Sequence, residues 1–359
     1  MLKNRWIQTL IIFILIFLLI LLMSLTSFIF DPLFKYVGAV AMPIIGAGVL
    51  FYVTNPIVNF FEKRLKINRI VSIFLVFLLL ISLVTLFVLY IFPIAQKQFT
   101  NLIDNIPKMV DMALAFIESF QASQFTIPDQ IDDAIQNFMN NIQTYIENIM
   151  SYLFGFIGQV INFVTSLVLI PFFLFFMLKD GHKLIPFITQ FLDKKKANYV
   201  SSLLRKIDDT LSSFIQGQLI VSFILGILLF IGYLIIGLNY SLTLALFGMI
   251  MNVIPFLGPF IAVTPALIVA AFQKPIMVVW VAIITLIAQQ IESNFVSPNV
   301  MGRVLSLHPL TVITVILAAG SIAGFLGILF AVPFYAVIKT IVIHVYQNYQ
   351  ENKMSKDAS

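Results

Sequence analysis

Long apolar runs separated by short polar segments form the main pattern of the chain. Eight runs reach the roughly 20 residues that a helix needs to cross the hydrocarbon core of a bilayer. In hydrocarbon, such a run satisfies its backbone hydrogen bonds by forming a helix. The pattern therefore predicts an all-α, polytopic integral membrane protein with about eight transmembrane helices. The runs are Ile7–Phe30, Tyr36–Phe61, Ile70–Phe92, Tyr152–Leu178, Phe214–Ile236, Leu242–Phe272, Ile276–Val296 and Leu307–Tyr346.

The sixth run is interrupted near its middle by Pro255, Gly258 and Pro259. Proline has no amide hydrogen and clashes with the preceding helical turn, so we expect a broken helix at this point. Carbonyl groups freed by a break are costly in hydrocarbon unless protein or a water-filled cavity receives them. The break therefore predicts a binding site or a pathway, to which the adjacent Asn252 also belongs.

The last run, Leu307–Tyr346, is too long for one straight span. Its 40 residues would form a helix of about 60 Å, about twice the thickness of the bilayer core. The glycine-rich residues 320–327 are the expected interruption, which gives either two spans or a re-entrant segment followed by one span. Lys339, Lys353 and Lys356 favour a cytoplasmic C-terminus, which supports the re-entrant segment.

Charge in the polar segments predicts their side of the membrane. The loop 62–69 has four basic residues against one acid, which indicates the cytoplasm. Residues 93–151 carry seven acids against two lysines and are expected outside. Apolar residues spaced three and four apart predict an extracytoplasmic helical hairpin there, which either packs on itself or on the membrane, or makes contacts between subunits.

The segment 179–213 carries seven basic residues against four acids, so we expect it in the cytoplasm. Val200, Leu204 and Ile207 share one helical face beside basic residues. This pattern predicts an amphipathic helix at the inner membrane surface, either an interfacial linker or a regulatory helix. Farther along, we expect the turn 237–240 on the outer side and the turn 273–275 on the inner side.

These segments predict six parts of the chain. They are three transmembrane helices (1–92), the extracytoplasmic segment (93–151), a fourth transmembrane helix (152–178), the cytoplasmic amphipathic linker (179–213), a membrane transport unit (214–346) and a cytoplasmic tail (347–359).

The composition of the chain argues against several classes of function. Hydrophobic residues make up 60% of the chain and charged residues 10%, and the net charge is +5. The basic residues lie in short loops, where they set topology and contact anionic lipid, so we expect no nucleic-acid partner. There is no cysteine, which excludes disulfides and thiolate metal sites. We find no phosphate-binding GxxxxGK[ST] motif and no HExxH or GxSxG motif, so we expect no enzyme activity, cofactor or metal site.

Between Thr210 and Ile338 the only charged residues are Lys274, Glu292 and Arg303. Ionisable side chains inside a membrane are rare and tend to be functional, which makes Glu292 the first candidate. Gln289, Gln290 and Asn294 are its polar neighbours, and Gln289, Glu292 and Ser293 share one helical face. Arg303 is the expected counter-charge. The alternative is that Glu292 remains hydrated at the interface or only pairs with Arg303.

Several short motifs, in this order across about half the chain, resemble the bacterial autoinducer-2 exporter family of permeases. The first 150 residues resemble the family only in the long polar segment after the third run. The motifs are Phe175–Gly181, Gln216–Gln218, Ile254–Pro259, Gln290–Pro298, Met301–Gly302, Leu307–Leu310 and Gly324–Pro333.

The resemblance implies a multi-pass protein of the bacterial plasma membrane that exports a small polar molecule, in the naming case the furanosyl quorum-sensing signal. It also implies sodium/proton antiport in some members and homo-oligomers, with a pentamer suggested. We therefore expect a secondary transporter that exports a molecule such as autoinducer-2, with both termini cytoplasmic. The alternatives are a sodium (cation)/proton antiporter and a membrane scaffold whose outer helices recruit partners. The expected partners are the lipid bilayer, a small polar solute or a monovalent cation, and further copies of the chain.

Overall fold

The computed structural model describes residues 5–102, 104–105, 108, 169–301 and 308–357. Every regular element in these residues is a helix, which confirms the all-α class. Most of the predicted extracytoplasmic hairpin, most of the fourth run and Arg303 lie outside the described residues. The described residues form two compact units, one within 1–51 and 156–177 and the other within 52–155 and 178–359.

Five of the helices in these ranges, α2, α3, α6, α9 and α10, contain stretches long and apolar enough to cross a membrane. The chain is therefore a polytopic membrane protein. A 3₁₀ turn, Gly181–Lys183, joins α4 to α5. The helices are α1 (Arg5–Leu25), α2 (Ser27–Arg64), α3 (Arg69–Leu102), α4 (Ile170–Asp180), α5 (Leu184–Thr189), α6 (Lys194–Ile235), α7 (Ser241–Met251), α8 (Gly258–Gln273), α9 (Pro275–Met301) and α10 (Pro309–Asp357).

The first unit contains α1, the part of α2 up to Phe51 and the part of α4 up to Met177. Its helices leave large apolar side chains exposed, including Phe17 and Leu21 of α1. Such side chains are suited to contact with lipid. In the second unit, α3 does not end at Phe92 as expected. It continues through a π-helical turn and past Pro93 to Leu102.

In the second unit, α6 is one helix of 42 residues, about 63 Å long. The predicted boundary at residue 213 is therefore not a helix end. The chain has neither proline nor glycine between Lys194 and Gly217, so nothing in the sequence interrupts the helix there. The N-terminal half of α6 packs against α10, where Lys206 Nζ lies 3.1 Å from His344 Nδ1 and the Thr210 and Thr340 hydroxyls lie 3.2 Å apart.

The sixth run folds back on itself as a helical hairpin, and the hairpin ends are joined by hydrogen bonds. Gln273 Nε2 donates to the Gly237 carbonyl at 2.8 Å, and the Asn239 amide donates to Gln273 Oε1 at 2.9 Å. The turns 237–240 and 273–275 thus lie at the same end of the unit. The prediction that they lie on opposite sides of the membrane is wrong. We call α7, residues 252–257 and α8 the first hairpin.

The reversal comes from the backbone between α7 and α8. Pro255 has no amide hydrogen to continue the helix, and Phe256 adopts a left-handed conformation with φ 64°. Gly258 then allows the two arms to meet, because a Cβ atom there would collide with the Met251 carbonyl oxygen. The predicted helix break is confirmed, and the structure adds that the chain turns back.

Helix α9 runs antiparallel to α6. Near one end of this pair, the Tyr233 and Thr285 hydroxyls lie 3.5 Å apart, and near the other Gly217 lies against Met301. The helix continues beyond the predicted end at Val296 and past Pro298 to Met301. Residues Glu292–Val296 form a π-helical turn inside it.

Helix α10 is interrupted at Ala323 and Gly324, where Gly324 has φ 59° and ψ −139°. This confirms the interruption expected within residues 320–327. The arms, 309–322 and 325–357, fold together so closely that a Cβ atom on Gly327 would collide with the Ala319 carbonyl oxygen. The 14-residue first arm is about 21 Å long, shorter than a bilayer core, which favours a re-entrant segment over two spans. We call these arms the second hairpin.

The tip of the first hairpin meets the arms of the second hairpin beside α6. The arms of the first hairpin pack near the C-terminal end of α6 in a core that includes Leu244, Val269 and Tyr233. Its tip instead packs against the second hairpin, where Ile254 joins a buried cluster with Val312. The second arm of α10 extends toward the N-terminal end of α6 through the contacts of Lys206 and Thr210. The hairpins therefore approach each other from opposite ends of the unit.

Candidate functional site

A cavity of about 460 Å³ lies between the tip of the first hairpin, the arms of the second hairpin, α6 and α9. Its polar lining comes from three of these four elements, the first hairpin, α6 and α9, while the second hairpin contributes valines. The polar lining residues are Gln218, Asn252, Gln289, Gln290, Glu292, Ser293 and Ser297; the others are Phe214, Val221, Pro255, Phe256, Pro259, Phe260, Leu286, Met301, Val312 and Val332.

The broken segment contributes both backbone and side chain. The Asn252 carbonyl, released by the end of α7, accepts a hydrogen bond from Gln218 Nε2 at 2.5 Å. The Asn252 side chain is 1% exposed, and its Nδ2 lies 3.5 Å from Ser222 Oγ. A side chain on another helix thus donates a hydrogen bond to the carbonyl that the break frees. Such a partner is needed because an unpaired carbonyl is costly in apolar surroundings.

Glu292 is the only charged residue among the described residues that line the cavity. It is half-buried and begins the π-helical turn of α9. A π-helical turn inside an α-helix rotates the side chains that follow and is frequent at functional sites. Asn252 also lines the cavity and is the polar residue that the first hairpin contributes. A carboxylate in such surroundings favours a bound cation or proton, because an isolated buried charge is costly.

Six of the nine predicted site residues line the cavity: Asn252, Pro255, Pro259, Gln289, Gln290 and Glu292. Gly258 is buried between the arms of the first hairpin and acts through close packing. Asn294 is exposed, and its Nδ2 donates to Gln290 Oε1 at 2.9 Å, so it lies behind the lining. Arg303, and with it the expected pair with Glu292, lies outside the described residues.

Gln218 and Ser222 were not among the site residues predicted from the sequence. Both are buried on α6, where Gln218 is 7% exposed and Ser222 is 2% exposed. A usable signal was present, because two polar residues four apart in an apolar helix occupy one face. Gly217 also brings α6 close to Met301 of α9. The polar pair therefore faces the other elements of the site.

The donor set suits a small polar solute or a monovalent cation. It consists of one carboxylate, the amides of asparagine and glutamine, and two serine hydroxyls. Amide and hydroxyl groups both donate and accept hydrogen bonds, and their oxygens can coordinate hard cations. In the part of the chain that the structure describes, no three His, Cys, Asp or Glu side chains cluster around a possible metal position.

Residues 10–347 match the family described as AI-2E family transporter. The chain belongs to the AI-2E transporter family. Among its relatives, "Putative transport protein YueF" of Bacillus subtilis strain 168 is 33% identical over 89% of this chain and 88% of the relative. "Putative transport protein YrrI" of the same strain is 32% identical over 70% of this chain and 71% of the relative.

A third relative of this AI-2E family member is "Putative permease PerM" of Escherichia coli K12. It is 26% identical over 72% of this chain and 74% of the relative. Family membership and the apolar helices together identify the protein as a membrane transporter or permease.

Proposed function

We propose that the protein is a secondary transporter that exports a small polar solute of the autoinducer-2 class from a bacterial cell. The observation that carries the proposal is the cavity at the tip of the first hairpin, with one carboxylate among neutral polar groups. Its volume of about 460 Å³ lies within the range of ligand sites in proteins, roughly 300–1,000 Å³. A small polyhydroxylated solute would find hydrogen-bonding partners on α6, α9 and the first hairpin.

The hairpins supply the two barriers of such a transporter. In this proposal each hairpin forms the barrier between the cavity and one side of the membrane, because the hairpins enter from opposite ends of the unit. Displacing one hairpin would open the cavity to that side while the other side remained closed. A proton or cation on Glu292 would change the relative energies of the two open states, since a ligand shifts a conformational equilibrium through its differential affinity.

The proposal includes location and assembly. We place the protein in the bacterial plasma membrane with both termini in the cytoplasm, as a homo-oligomer for which the family resemblance suggests a pentamer. The basic loop at 62–69 and the lysines near the C-terminus support this orientation.

A second candidate, cation/proton antiport, is favoured by the lone carboxylate. Glu292 surrounded by neutral oxygens could bind Na⁺ and a proton alternately. In that case the ion is the substrate, and vesicles should show Na⁺ exchange that depends on a pH gradient without any organic solute. A membrane scaffold, by contrast, should retain its function when cavity residues are replaced.

Flux measurements in proteoliposomes test the proposal. We expect wild-type protein to move autoinducer-2 across the vesicle membrane and Glu292→Gln to reduce the coupled flux at least tenfold. Asp209→Asn is the matched control, because Asp209 is an exposed acid on α6 that does not line the cavity. Unchanged coupled flux in Glu292→Gln would show that Glu292 has no role. Na⁺ exchange without solute flux would select the antiporter.

A further inference from the structure

A cluster of polar side chains joins α6 to the second arm of α10, away from the cavity. Lys206 Nζ of α6 lies 3.1 Å from His344 Nδ1 and donates to Gln347 Oε1 at 3.3 Å, both on α10. The Tyr199 ring of α6 stacks on the imidazole of His344, with the ring centroids 4.7 Å apart. None of these four residues lines the cavity, so the proposed transport site does not account for them.

The contact with Lys206 requires a neutral imidazole. A lysine ammonium has three donors and no acceptor, so His344 Nδ1 must accept the hydrogen bond. Nδ1 then carries no proton, and the single proton of the ring is on Nε2. His344 is 7% exposed, and its Nε2 is buried without a hydrogen-bond partner among the described residues. The hydrogen bond at Nδ1 is therefore the only polar contact of this side chain in the part of the chain that the structure describes.

No negative charge lies beside the imidazole in the described ranges. The titratable side chains that contact His344 there are Lys206 and Tyr199, both of α6. The ion pairs of these ranges use acids elsewhere in the chain, namely Asp31, Glu62 and Asp180. The residues one turn away from His344 on α10 do not titrate; they are Thr340, Ile341, Gln347 and Asn348. A proton on Nδ1 would therefore face the ammonium directly, and two positive charges this close repel each other.

We propose that Lys206 and His344 form a proton-sensitive latch between α6 and the second arm of α10. The latch is closed while the imidazole is neutral and opens when the imidazole takes up a proton. Histidine changes its charge between about pH 5 and about pH 8. The latch is therefore closed at the upper end of this range and opens as the pH falls.

The latch adds regulation to the fold and does not depend on what the cavity binds. It concerns only the attachment of α10 to α6, which can be measured without a solute. In the proposed function, α10 forms one of the two barriers. Acid on the side where α6 begins would then loosen that barrier.

Pulsed electron paramagnetic resonance tests the latch in the full-length protein in lipid nanodiscs. Spin labels on Ser202→Cys of α6 and Tyr349→Cys of α10 report the distance between the two helices. Both positions are exposed, and the chain has no native cysteine. We expect a longer distance to gain population as the pH falls from about 8 to about 5. The ratio of long to short distances should rise by up to about tenfold per pH unit, the limit for one proton.

Three substitutions in the labelled protein separate the latch from other effects of acid. In His344→Gln the side chain takes up no proton and can still accept from Lys206, so we expect the short distance at every pH. In Lys206→Gln a protonated imidazole meets an amide oxygen instead of an ammonium, so we expect the pH response to be lost. Lys196→Gln is the matched control, because Lys196 is an exposed lysine of α6. This variant should respond to pH as the wild-type protein does.

The outcomes are decisive for the latch and leave the proposed function to the flux measurements. Loss of the pH response in His344→Gln and Lys206→Gln, but not in Lys196→Gln, supports the latch. The same distances at both ends of the pH range in the wild-type protein overturn it. A wild-type response in His344→Gln or Lys206→Gln, or a lost response in Lys196→Gln, also overturns it. Should His344→Gln not fold, Lys206→Gln decides, because the Lys206 side chain is exposed.

Discussion

Gly258 shows how one residue shapes the transport site without contributing a polar group. Any Cβ atom at this position would collide with the carbonyl oxygen of Met251, which is backbone and cannot rotate away. The glycine therefore sets how closely the arms of the first hairpin approach. By holding the arms together, it also fixes the positions of Pro255 and Pro259, which line the cavity.

We expect Gly258→Ala to lower the free energy of unfolding by about 1–3 kcal/mol, the usual cost of overpacking a close contact. Thermal unfolding of the purified protein in detergent measures the effect. Gly48→Ala is the control, because nothing lies within 4 Å of a Cβ atom there and alanine favours the helix. Equal melting temperatures for the two variants would contradict the close contact.

The elements differ in how well sequence alone predicts them. Run length and composition predict the interruption at Gly324, because a straight helix would be too long for the bilayer. They do not predict the reversal in the first hairpin. Prolines stop a helix without fixing the direction in which the chain leaves. The reversal depends on Phe256, a bulky residue in a left-handed conformation that sequence patterns assign to glycine or asparagine.

The residues of the site also differ in how well the sequence predicts them. Glu292 and its amide neighbours could be predicted because they are rare polar groups in an apolar region. Gln218 could not be connected to Asn252, since their contact joins positions 34 residues apart through a fold that is not visible in the sequence. The π-helical turn at Glu292 could not be predicted either, because its residues differ little from those of an ordinary α-helix.

Cross-linking can test the first hairpin directly, and the absence of native cysteine makes the test simple. We expect Asn239→Cys with Gln273→Cys to cross-link rapidly with a short bifunctional maleimide, because the Asn239 amide donates to the Gln273 side chain. Asn239→Cys with Ser202→Cys is the control pair, since 37 positions along α6 and its turn separate them. Cross-linking of the control pair alone would refute the hairpin.

At the scale of the whole molecule, α6 runs from one end of the second unit to the other. Its C-terminal end adjoins the open end of the first hairpin, and its N-terminal half contacts the second arm of α10. The chain from residue 325 to 357 therefore runs back toward the end at which α6 begins. This arrangement places the C-terminal part of α10 at the same end of the unit as Lys194.

Impermeant thiol reagents applied to oriented vesicles test this topology. We expect Tyr349→Cys to be labelled only from the cytoplasmic side and Asn239→Cys only from the outer side. Both positions are exposed, so reagent access depends on the side of the membrane. Labelling of Tyr349→Cys from the outer side would mean that α10 contributes two complete spans and that the C-terminus is extracytoplasmic.

Because α6 is long and unbroken, a small tilt of the helix produces a much larger displacement at its far end. Gln218 lies 24 residues from Lys194, about 36 Å along the helix axis. A tilt of about 5° around the cavity would therefore displace the N-terminal end by about 3 Å. A change too small to resolve at the cavity would become measurable at Lys194, where a spectroscopic distance probe would report events at a site that it does not touch.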